Sequence, residues 1–586
     1  MGDGVQHHMM ARFCWKHPEL LLDQWGKPLF TLLASPFAQF GYAGMAAFNA
    51  LVAGLSGWLL VRALPHAGGL LRAVAVVLLV AAPWYALLVV DGMTEVLFGG
   101  MALAAVVVLM ERRWMLGALL AGLTPLCRPE YVVFLPTVAL WLAVKRQWRS
   151  MPWLAGGVLL YTVAAMISGG GPLSWWRNDP YAQAGSAYGA GDPWAFIAEA
   201  PVMLGWPLVL LFAIAALLWW TLRGQDSAAR EKDLLLLICA ALPALAIIGV
   251  HAVLWWTGSR GSAGLGRVMV TATPLMVLFT AHTLARADLR WMPRSIASII
   301  LLSAAGFTVA GTVKEVPLVQ QANTDQRMLH AAADRLATLL RPRARLFVSH
   351  TYVPFRLGLD TFDKDQVLVL RGFREGFEHP TRPGDLVFWE SQLGPNECST
   401  PLERLLGDTA YAVRGAFVPD EGHLIIGGVP MECLLFERRP VTRWSQADTL
   451  YRGTHAVEGF AVRQDTVACE HPEAWCGAQE FPWTAEALAA PTDSALYDNW
   501  AVDGEVVYPE AEGETVRMVL TQVLDGRGIR YEQYDLKPGM NSIRFRVPPF
   551  APQAEMKLYM WAPGGRRLEV RNMCVVRAQW RQRDAR

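Results

Sequence analysis

A carboxylate stands two residues into the chain, at the start of a short amphipathic segment. Asp3 is followed at helical spacing by Val5 and Met9. His7 lies one turn from Asp3 on the same face, which makes it a candidate substrate-binding residue. Because a long apolar run follows, the segment predicts a helix over residues 3–17 that lies in the membrane interface. There the carboxylate would either act as a base on a substrate hydroxyl or cap the helix by accepting a backbone hydrogen bond.

Two more acids stand at the outer end of an apolar segment, in the sequence DGMTEVLFGG. Ionisable groups at membrane depth are costly, so Asp91 and Glu95 are candidate catalytic residues. A structural role competes with this one, because Asp91 has the position of a helix N-cap and Glu95 in the first turn suits the helix dipole. The sequence leaves both roles open.

Isolated basic residues near these acids predict an anion site. Arg260 and Arg267 flank a glycine-rich stretch, TGSRGSAGLGRVMV, whose accessible backbone N–H groups and charge suit a phosphate or an anionic headgroup. Arg128 and Glu130 stand at the tip of a predicted helical hairpin and are further candidate binding residues. The structural alternatives are a snorkelling arginine at Arg267 and a simple ion pair between Arg128 and Glu130.

An aromatic and polar loop follows the hairpin, in the sequence WWRNDPYAQAGSAYGAGDPW. Rings beside amide and carboxylate groups suit a sugar, which makes Trp176, Asn178, Tyr181 and Tyr188 candidate substrate-binding residues. Anchoring of the rings in the membrane interface explains the tryptophans equally well.

A metal site has weaker support in the sequence. His7 and His8, with Asp3, could ligate an ion, but adjacent side chains project differently from a helix. No paired CxxC motif is present, so a zinc site is not expected. The sequence assigns no cofactor and leaves open whether a divalent ion, Mg²⁺ or Mn²⁺, is needed.

The elements that must position these residues are membrane spans. The chain of 586 residues is 53% hydrophobic with a mean hydropathy of +0.26, and residues 28–313 form a series of apolar runs of nearly spanning length. The net charge of +1 and the lack of a basic block give no indication of nucleic-acid binding.

The charges of the loops orient these spans. One alternating set of loops holds most of the lysines and arginines, and the other set holds only Arg128, Arg177, Arg260 and Arg267. The positive-inside rule places the first set in the cytoplasm. It therefore predicts a multi-pass protein of the cytoplasmic (inner) membrane with the candidate site residues and the C-terminal tail on the extracytoplasmic face.

The tail predicts two soluble units after a polytopic domain at 1–313. Residues 314–440 mix a helix, DQRMLHAAADRLATLL, with strands such as RLFVSH, DLVFWE and CLLFERR, which predicts a small α/β unit. Residues 441–586 alternate at period two between the turn sequences DGRG, KPGMN and APGG, which predicts a β-sandwich or jelly roll.

The order and sidedness of these motifs resemble the GT-C superfamily of polytopic glycosyltransferases, which use polyprenyl-phosphate-linked sugars. The motifs are GDGVQHHMMARF with DQWGKPLF, DGMTEVLFGG, LTPLCRPEY, the loop WWRNDPYAQAGSAYGAGDPW (the Trp-rich loop), and HAVLWWTGSRGSAGLGRVMVTATPL. An extracytoplasmic tail follows them. Family members have a span before the first acidic loop. The resemblance therefore implies one of two alternatives: a start codon upstream of Met1 with a preceding helix, which we favour, or translocation of the N-terminus without that helix.

The resemblance implies a role for each charged candidate. Asp3 would be the base of an inverting displacement, and Asp91 or Glu95 would belong to the second acidic motif. Arg267, or otherwise Arg128 or Arg260, would contact the donor phosphate. The implied partners are a polyprenyl-phosphate-sugar donor, the lipid bilayer, and a glycan, lipid or protein acceptor of the cell envelope.

Two other functions use the same residues differently. A transporter or flippase for a lipid-linked glycan would use the acids as a polar pathway, and it predicts charged or broken helices in mid-membrane. A non-catalytic, membrane-anchored carbohydrate-binding assembly protein would need only the tail, and it does not require acids and arginines gathered on one membrane face.

Overall fold

The chain forms two compact units, Met1–Gln321 and Ala322–Arg586. The computed structural model describes residues 2–181, 186, 189–222, 227–287, 293–316, 324–370, 380–400, 402, 405, 411–419, 431–438, 444–452, 455–456, 461–464, 474–487, 496–508, 515–524, 527–536, 539–547, 555–565 and 567–581.

The first unit is helical. Its α-helices are α1 (Gly2–Phe13), α2 (Pro28–Ala38), α3 (Tyr42–Ala63), α4 (Gly69–Val80), α5 (Pro83–Val90), α6 (Glu95–Met110), α7 (Trp114–Gly122), α8 (Tyr131–Val144), α9 (Gly156–Ile167), α10 (Ser174–Arg177), α11 (Ala195–Leu204), α12 (Trp206–Trp219), α13 (Ser227–Leu236), α14 (Leu242–Thr257), α15 (Thr273–Arg286) and α16 (Arg294–Glu315). Short 3₁₀ segments cover Pro18–Leu22, Thr124–Leu126, Trp148–Ala155 and Gly266–Ala272, and a π-helical turn at Leu237–Ala241 joins α13 to α14.

Several of these helices are long and apolar enough to cross a bilayer. Within the described ranges there are five such spans: Tyr42–Ala63, Trp148–Ile167, Ala229–Thr257, Gly266–Arg286 and Arg294–Glu315. Two bent pairs, α4 with α5 and α11 with α12, raise the total to seven if each pair is one span. The unit is therefore a polytopic membrane domain.

Two of these helical pairs are sharply bent. The axes of α4 and α5 differ by 59°, because Pro83 begins α5 without an N–H to continue the ladder of α4. The axes of α11 and α12 differ by 110° at Gly205, which has a φ of 89°. This left-handed conformation favours glycine and lets the chain turn sharply.

The first helix is shorter and more enclosed than the sequence predicts. It ends at Phe13 rather than near residue 17, and it buries His7 and His8 together with the apolar residues Val5 and Met9. Because α1 packs along α2, it is enclosed on more than the one stripe that an interfacial helix would bury.

The second unit begins with a small α/β region. It contains α17 (Thr324–Leu339), α18 (Tyr352–Arg356), α19 (Leu393–Asn396), β1 (Leu346–Val348), β2 (Val367–Val369), β3 (Leu386–Glu390), β4 (Tyr411–Phe417) and β5 (Cys433–Arg438). The sheet order is β2-β1-β3-β5-β4, with β1 parallel to β2 and β3 and the other pairs antiparallel. Its core includes Phe347, Trp389 and Phe436.

The remaining strands form two antiparallel sheets. They are β6 (Trp444–Arg452), β7 (His455–Ala456), β8 (Ala461–Gln464), β9 (Ala474–Gly477), β10 (Trp483–Ala487), β11 (Leu496–Tyr508), β12 (Val516–Leu524), β13 (Arg527–Leu536), β14 (Gly539–Val547), β15 (Glu555–Trp561) and β16 (Leu568–Arg581). The sheet orders are β13-β12-β15-β10-β8 and β14-β11-β16-β6-β7, with β9 paired to β16. Trp483 and Met560 of one sheet share a core with Tyr508 and Val570 of the other, so the region is a β-sandwich. The predicted fold class is confirmed.

Candidate active site

Five charged side chains meet at one end of the membrane domain and are called the ion cluster below: Asp3, Glu95, Arg128, Glu130 and Arg267. Arg267 Nη2 donates a hydrogen bond to Asp3 Oδ2, and Arg267 Nε lies 3.7 Å from Glu95 Oε1. Arg128 Nη1 lies 2.9 Å from Glu95 Oε1, and Arg128 Nη2 lies 2.9 Å from Glu130 Oε1. Glu95 thus joins the two arginines into one network.

Four separate parts of the chain supply the cluster, and close helix packing brings them together. Gly99 lies one turn after Glu95 on α6, and a Cβ at Gly99 would come within 2.9 Å of Pro274 at the start of α15. Glycine therefore permits the close approach that lets Glu95 reach Arg267. The hairpin tip between α7 and α8 adds Arg128, whose Nη1 also donates to Thr94 Oγ1 at 2.9 Å.

Asp3 is the most accessible acid of the cluster. Its side chain is 41% exposed, whereas those of Glu95 and Glu130 are 0% and 2% exposed. Packing around Asp3 opposes its ionisation, but the charge of Arg267 and the hydrogen bond from it outweigh this effect and lower the pKa of Asp3. Asp3 is therefore an ionised carboxylate that a ligand can reach.

Glu130 is ionised for a similar reason although it is buried. Burial opposes its ionisation, but Arg128 and then His251 hold the pKa of Glu130 below its usual range. His251 Nε2 lies 3.5 Å from Glu130 Oε1. This places α14 beside the ion cluster.

His7 lies against the cluster as a neutral ring. It stacks on Trp25 with ring centroids 4.8 Å apart and meets the edge of Phe30. Burial, together with neighbouring cations, lowers the pKa of His7 to about 3 although Asp3 acts in the opposite direction. Its Nδ1 makes no hydrogen bond within the described part of the chain.

Lys27 belongs to the site and was missed in the sequence. It is 4% exposed, and its Nζ donates to Gln24 O at 3.0 Å and to Tyr181 OH at 2.8 Å. The described residues provide no acid within ion-pair distance of this ammonium. One feature of the sequence could have indicated this residue: Lys27 stands between the aromatic Trp25 and the apolar run that begins at Pro28.

The Trp-rich loop divides between the site and its support. Tyr181 faces Lys27, whose Nζ lies 4.8 Å from the centre of the Tyr181 ring. Asn178 donates to Tyr161 OH at 3.2 Å, while Trp176 is exposed. The loop therefore brings Tyr181 to the site and uses Asn178 to hold its own conformation. Tyr188 lies outside the described residues.

Two other candidates lie apart from the ion cluster. Arg260 Nη2 pairs with Asp179 Oδ2 at 2.7 Å, within the loops. Asp91 follows the end of α5, and Tyr42 OH donates to its Oδ1 at 3.0 Å and to its backbone O at 2.7 Å. The sequence interpretation of Asp91 as an N-cap of α6 is wrong, because α6 begins at Glu95 and Thr94 precedes it.

The acids of the site are arranged around arginines. Across the described ranges, no three histidine, cysteine or acidic side chains are grouped so as to hold a metal ion. Asp3, Glu95 and Glu130 instead each contact a guanidinium group. The arrangement suits recognition of an anion and transfer of a proton.

The fold and the site together define a polytopic membrane protein with a polar, charge-paired site at one end of its helical domain. No protein-family model and no curated protein sequence matches the chain.

Solved structures with a similar arrangement include ArnT from Cupriavidus metallidurans bound to undecaprenyl phosphate, with 14% identity and a TM-score of 0.47 over 74% of this chain and 93% of that chain. Arabinofuranosyltransferase AftD from Mycobacteria has 11% identity and a TM-score of 0.37 over 92% of this chain and 56% of that chain. Arabinosyltransferase EmbB from Mycobacterium smegmatis has 11% identity and a TM-score of 0.34 over 99% of this chain and 62% of that chain. At these values the similarity assigns no activity, which must be argued from the residues of the site.

Proposed function

We propose that the protein is a membrane glycosyltransferase that moves a sugar from a polyprenyl-phosphate donor to an acceptor hydroxyl on the extracytoplasmic face. The observation that carries this proposal is the presence of two groups in one site. One is an accessible carboxylate, Asp3, which is held by Arg267. The other is the buried ammonium of Lys27, which lacks an acidic partner among the described residues. A base and an anion-binding group are the two parts that such a transfer requires.

The donor phosphate binds at Lys27 and Arg267. A buried ammonium without a counter-ion is costly, and an anionic ligand would remove that cost. Two of the three N–H groups of Lys27 are used by Gln24 and Tyr181, which leaves one for a phosphate oxygen. This refines the sequence expectation, which placed the phosphate at Arg267 and did not include Lys27.

Asp3 takes the proton of the acceptor hydroxyl. The acceptor oxygen then forms a bond to the anomeric carbon, the bond from that carbon to the phosphate oxygen breaks, and the electron pair leaves with the polyprenyl phosphate. One displacement of this kind inverts the anomeric centre, through a transition state with oxocarbenium character.

Proton transfer and phosphate departure are coupled through Arg267. When Asp3 becomes neutral, Arg267 loses the charge of its partner, and at the same time the leaving phosphate gains a negative charge. The guanidinium therefore stabilises the product phosphate without any change in the net charge of the site.

Glu95 and Glu130 act as positioning residues. Both are buried, and both hold Arg128, while Glu95 also lies near Arg267. Neither acid is accessible enough to receive a proton from an acceptor. Asp91, which directly follows α5, receives a structural role, because it accepts hydrogen bonds from Tyr42 at the start of α3.

The charge distribution of the loops supports an extracytoplasmic site in the cytoplasmic membrane. On this orientation residues 1–313 form the transferase domain, and the regions 314–440 and 441–586 are extracytoplasmic domains. The acceptor is a glycan, lipid or protein of the cell envelope.

The test is a transfer assay with full-length protein in lipid nanodiscs. The donors are polyprenyl phosphates that carry labelled hexoses and pentoses, offered to cell-envelope extracts with and without Mg²⁺ or Mn²⁺. The wild type should transfer label, and Asp3→Asn should lower the rate about a hundredfold to ten-thousandfold, as expected for loss of a general base. Glu19→Gln, at an exposed acid outside the site, is the matched control and should transfer at the wild-type rate.

Two results would contradict the proposal. One is the absence of transfer from every donor by a wild type that is folded and binds polyprenyl phosphate. The other is wild-type transfer by Asp3→Asn. Movement of the labelled donor between leaflets without any transfer would instead indicate a transporter.

A further inference from the structure

Helix α11 packs against α14 and against the 3₁₀ segment that carries Arg267, and so forms a wall beside the candidate active site. Phe196 on α11 stacks on His251 of α14, with ring centroids 6.0 Å apart and an interplanar angle of 24°. His251 in turn contacts Glu130 of the ion cluster, with 3.5 Å between Nε2 and Oε1. The axis of α12 departs from that of α11 by 110° after Gly205.

Glu199 is carried on the same face of α11 as Phe196, three residues later. Its carboxylate lies against the backbone of Gly266, where an added Cβ would collide with Glu199 Oε2 and crowd Met203. Gly266 directly precedes Arg267. The glycine therefore leaves space for a carboxylate beside the segment that supplies the arginine of the site.

This carboxylate has no partner of its own. It forms no hydrogen bond or ion pair with another residue of the described ranges, although it stands in an apolar helix, AFIAEAPVML. Ile197, on the opposite side of α11, is exposed, as expected for a surface in contact with lipid. An ionisable group in such a helix is costly, and a ligand that supplies hydrogen-bond donors would offset that cost.

We propose that Glu199 binds hydroxyl groups of the sugar that is transferred, and so determines which donor is used. This inference rests on the proposed glycosyltransferase function. A carboxylate accepts hydrogen bonds from two neighbouring hydroxyls and repels a phosphate, so it selects the sugar part of the donor.

The position of Glu199 fits the sugar better than the lipid. The sugar is bonded directly to the phosphate, so with the phosphate at Arg267 and Lys27 the sugar lies within one ring's length of these cations. Glu199 lies beside Gly266, which is next to Arg267, on the wall formed by α11.

The experiment compares Glu199→Gln and Glu199→Ala with the wild type and with the matched control Glu19→Gln. Binding of two probes is measured by native mass spectrometry in the transfer-deficient Asp3→Asn background: the polyprenyl-phosphate sugar that the wild type binds most tightly, and polyprenyl phosphate without sugar. Loss of a charge-assisted hydrogen bond should weaken binding of the sugar-bearing probe about ten- to hundredfold. Binding of the bare phosphate should not change. The thermal unfolding midpoint shows that each variant is folded, and Glu199→Gln keeps the shape of the side chain.

Three results would overturn the inference. The first is equal loss for both probes, which would make Glu199 a structural residue. The second is unchanged binding of the sugar-bearing probe. The third is a wild type that binds the two probes equally well. Failure of the proposed function is a separate outcome, because it is recognised by the absence of transfer in the wild type or by full transfer in Asp3→Asn.

A kinetic arm tests specificity in the transferase itself. With single deoxy analogues of the donor sugar, the wild type should lose affinity for one or two analogues, seen as a higher KM at a similar kcat. Glu199→Ala should treat those analogues and the parent donor alike. If the variant discriminates as strongly as the wild type, Glu199 does not contact the hydroxyls.

Discussion

Replacing Lys27 with methionine separates ligand binding from stability. Methionine keeps an unbranched apolar side chain of nearly the same length and removes the ammonium group. In the structure Lys27 is 4% exposed and its two hydrogen-bond partners, Gln24 O and Tyr181 OH, are both uncharged. The substitution should therefore weaken phosphate binding without destabilising the protein.

The magnitude follows from the contacts of Nζ. The one N–H that remains for a phosphate oxygen is a charge-assisted donor worth about 1.5–3 kcal/mol, so the Kd for polyprenyl phosphate should rise about ten- to 150-fold. In the unliganded protein the substitution removes two hydrogen bonds of about 1 kcal/mol each. It also removes the desolvation penalty of an unpaired buried charge, which is several kcal/mol. The unfolding midpoint should therefore be unchanged or higher.

The assay is binding of polyprenyl phosphate to full-length protein in nanodiscs, followed by thermal unfolding of the same samples. Lys145→Met is the matched control, because Lys145 ends α8 and pairs with Glu231 at 2.9 Å, away from the ion cluster. An unchanged Kd in Lys27→Met would refute the phosphate role. A lower unfolding midpoint together with weaker binding would show that Lys27 is a structural cation, because its buried charge would then stabilise the unliganded protein.

Three further predictions concern the charged groups. In Arg267→Ala the pKa of Asp3 should rise, because the charge and hydrogen bond of Arg267 lower it in the wild type. Since Asp3 must be ionised to act as the base, the acid limb of the pH profile of kcat/KM should move to higher pH. An unmoved limb would show that it does not report the ionisation of Asp3. Glu95→Gln should lower stability by about 1.5–3 kcal/mol in thermal unfolding, because Arg128 loses one of its two buried acidic partners and keeps Glu130. A wild-type midpoint would contradict this. Glu390 is buried in the α/β region, and burial raises its pKa to about 7, above the value in the unfolded chain. Stability of that region should therefore be complete at low pH and fall by about 3 kcal/mol as the pH rises from about 4.5 to about 7, and Glu390→Gln should abolish the dependence.

Much of the membrane domain could be predicted because its signals are local. Apolar runs of nearly spanning length and the helical hairpin around Arg128 and Glu130 follow from composition and spacing alone. The alternation of apolar residues likewise predicts the strands of the sandwich, since a strand that is buried on one face repeats every second residue.

The bends could not be predicted in the same way. A hydrophobic run has the same composition whether it continues or turns, so the sequence does not separate a straight span from α11 and α12, which turn by 110°. The capping role of Asp91 was wrong for a related reason: the residue is close to the start of α6 in sequence, but it accepts a hydrogen bond from Tyr42, which lies in another helix.

The chain by itself determines which charged residues stand at the ends of its spans, because membrane insertion sorts apolar from polar segments along the sequence. Tertiary structure alone decides which of those charges meet. Asp3 and Arg267 are separated by 264 residues yet share a hydrogen bond, while Arg260, seven residues from Arg267, pairs elsewhere. Electrostatic pairing depends on distance in space and on burial. Lys27 is an ordinary lysine in the sequence. Only the packing of the helices around it buries its charge, at a place where the described residues provide no acidic partner.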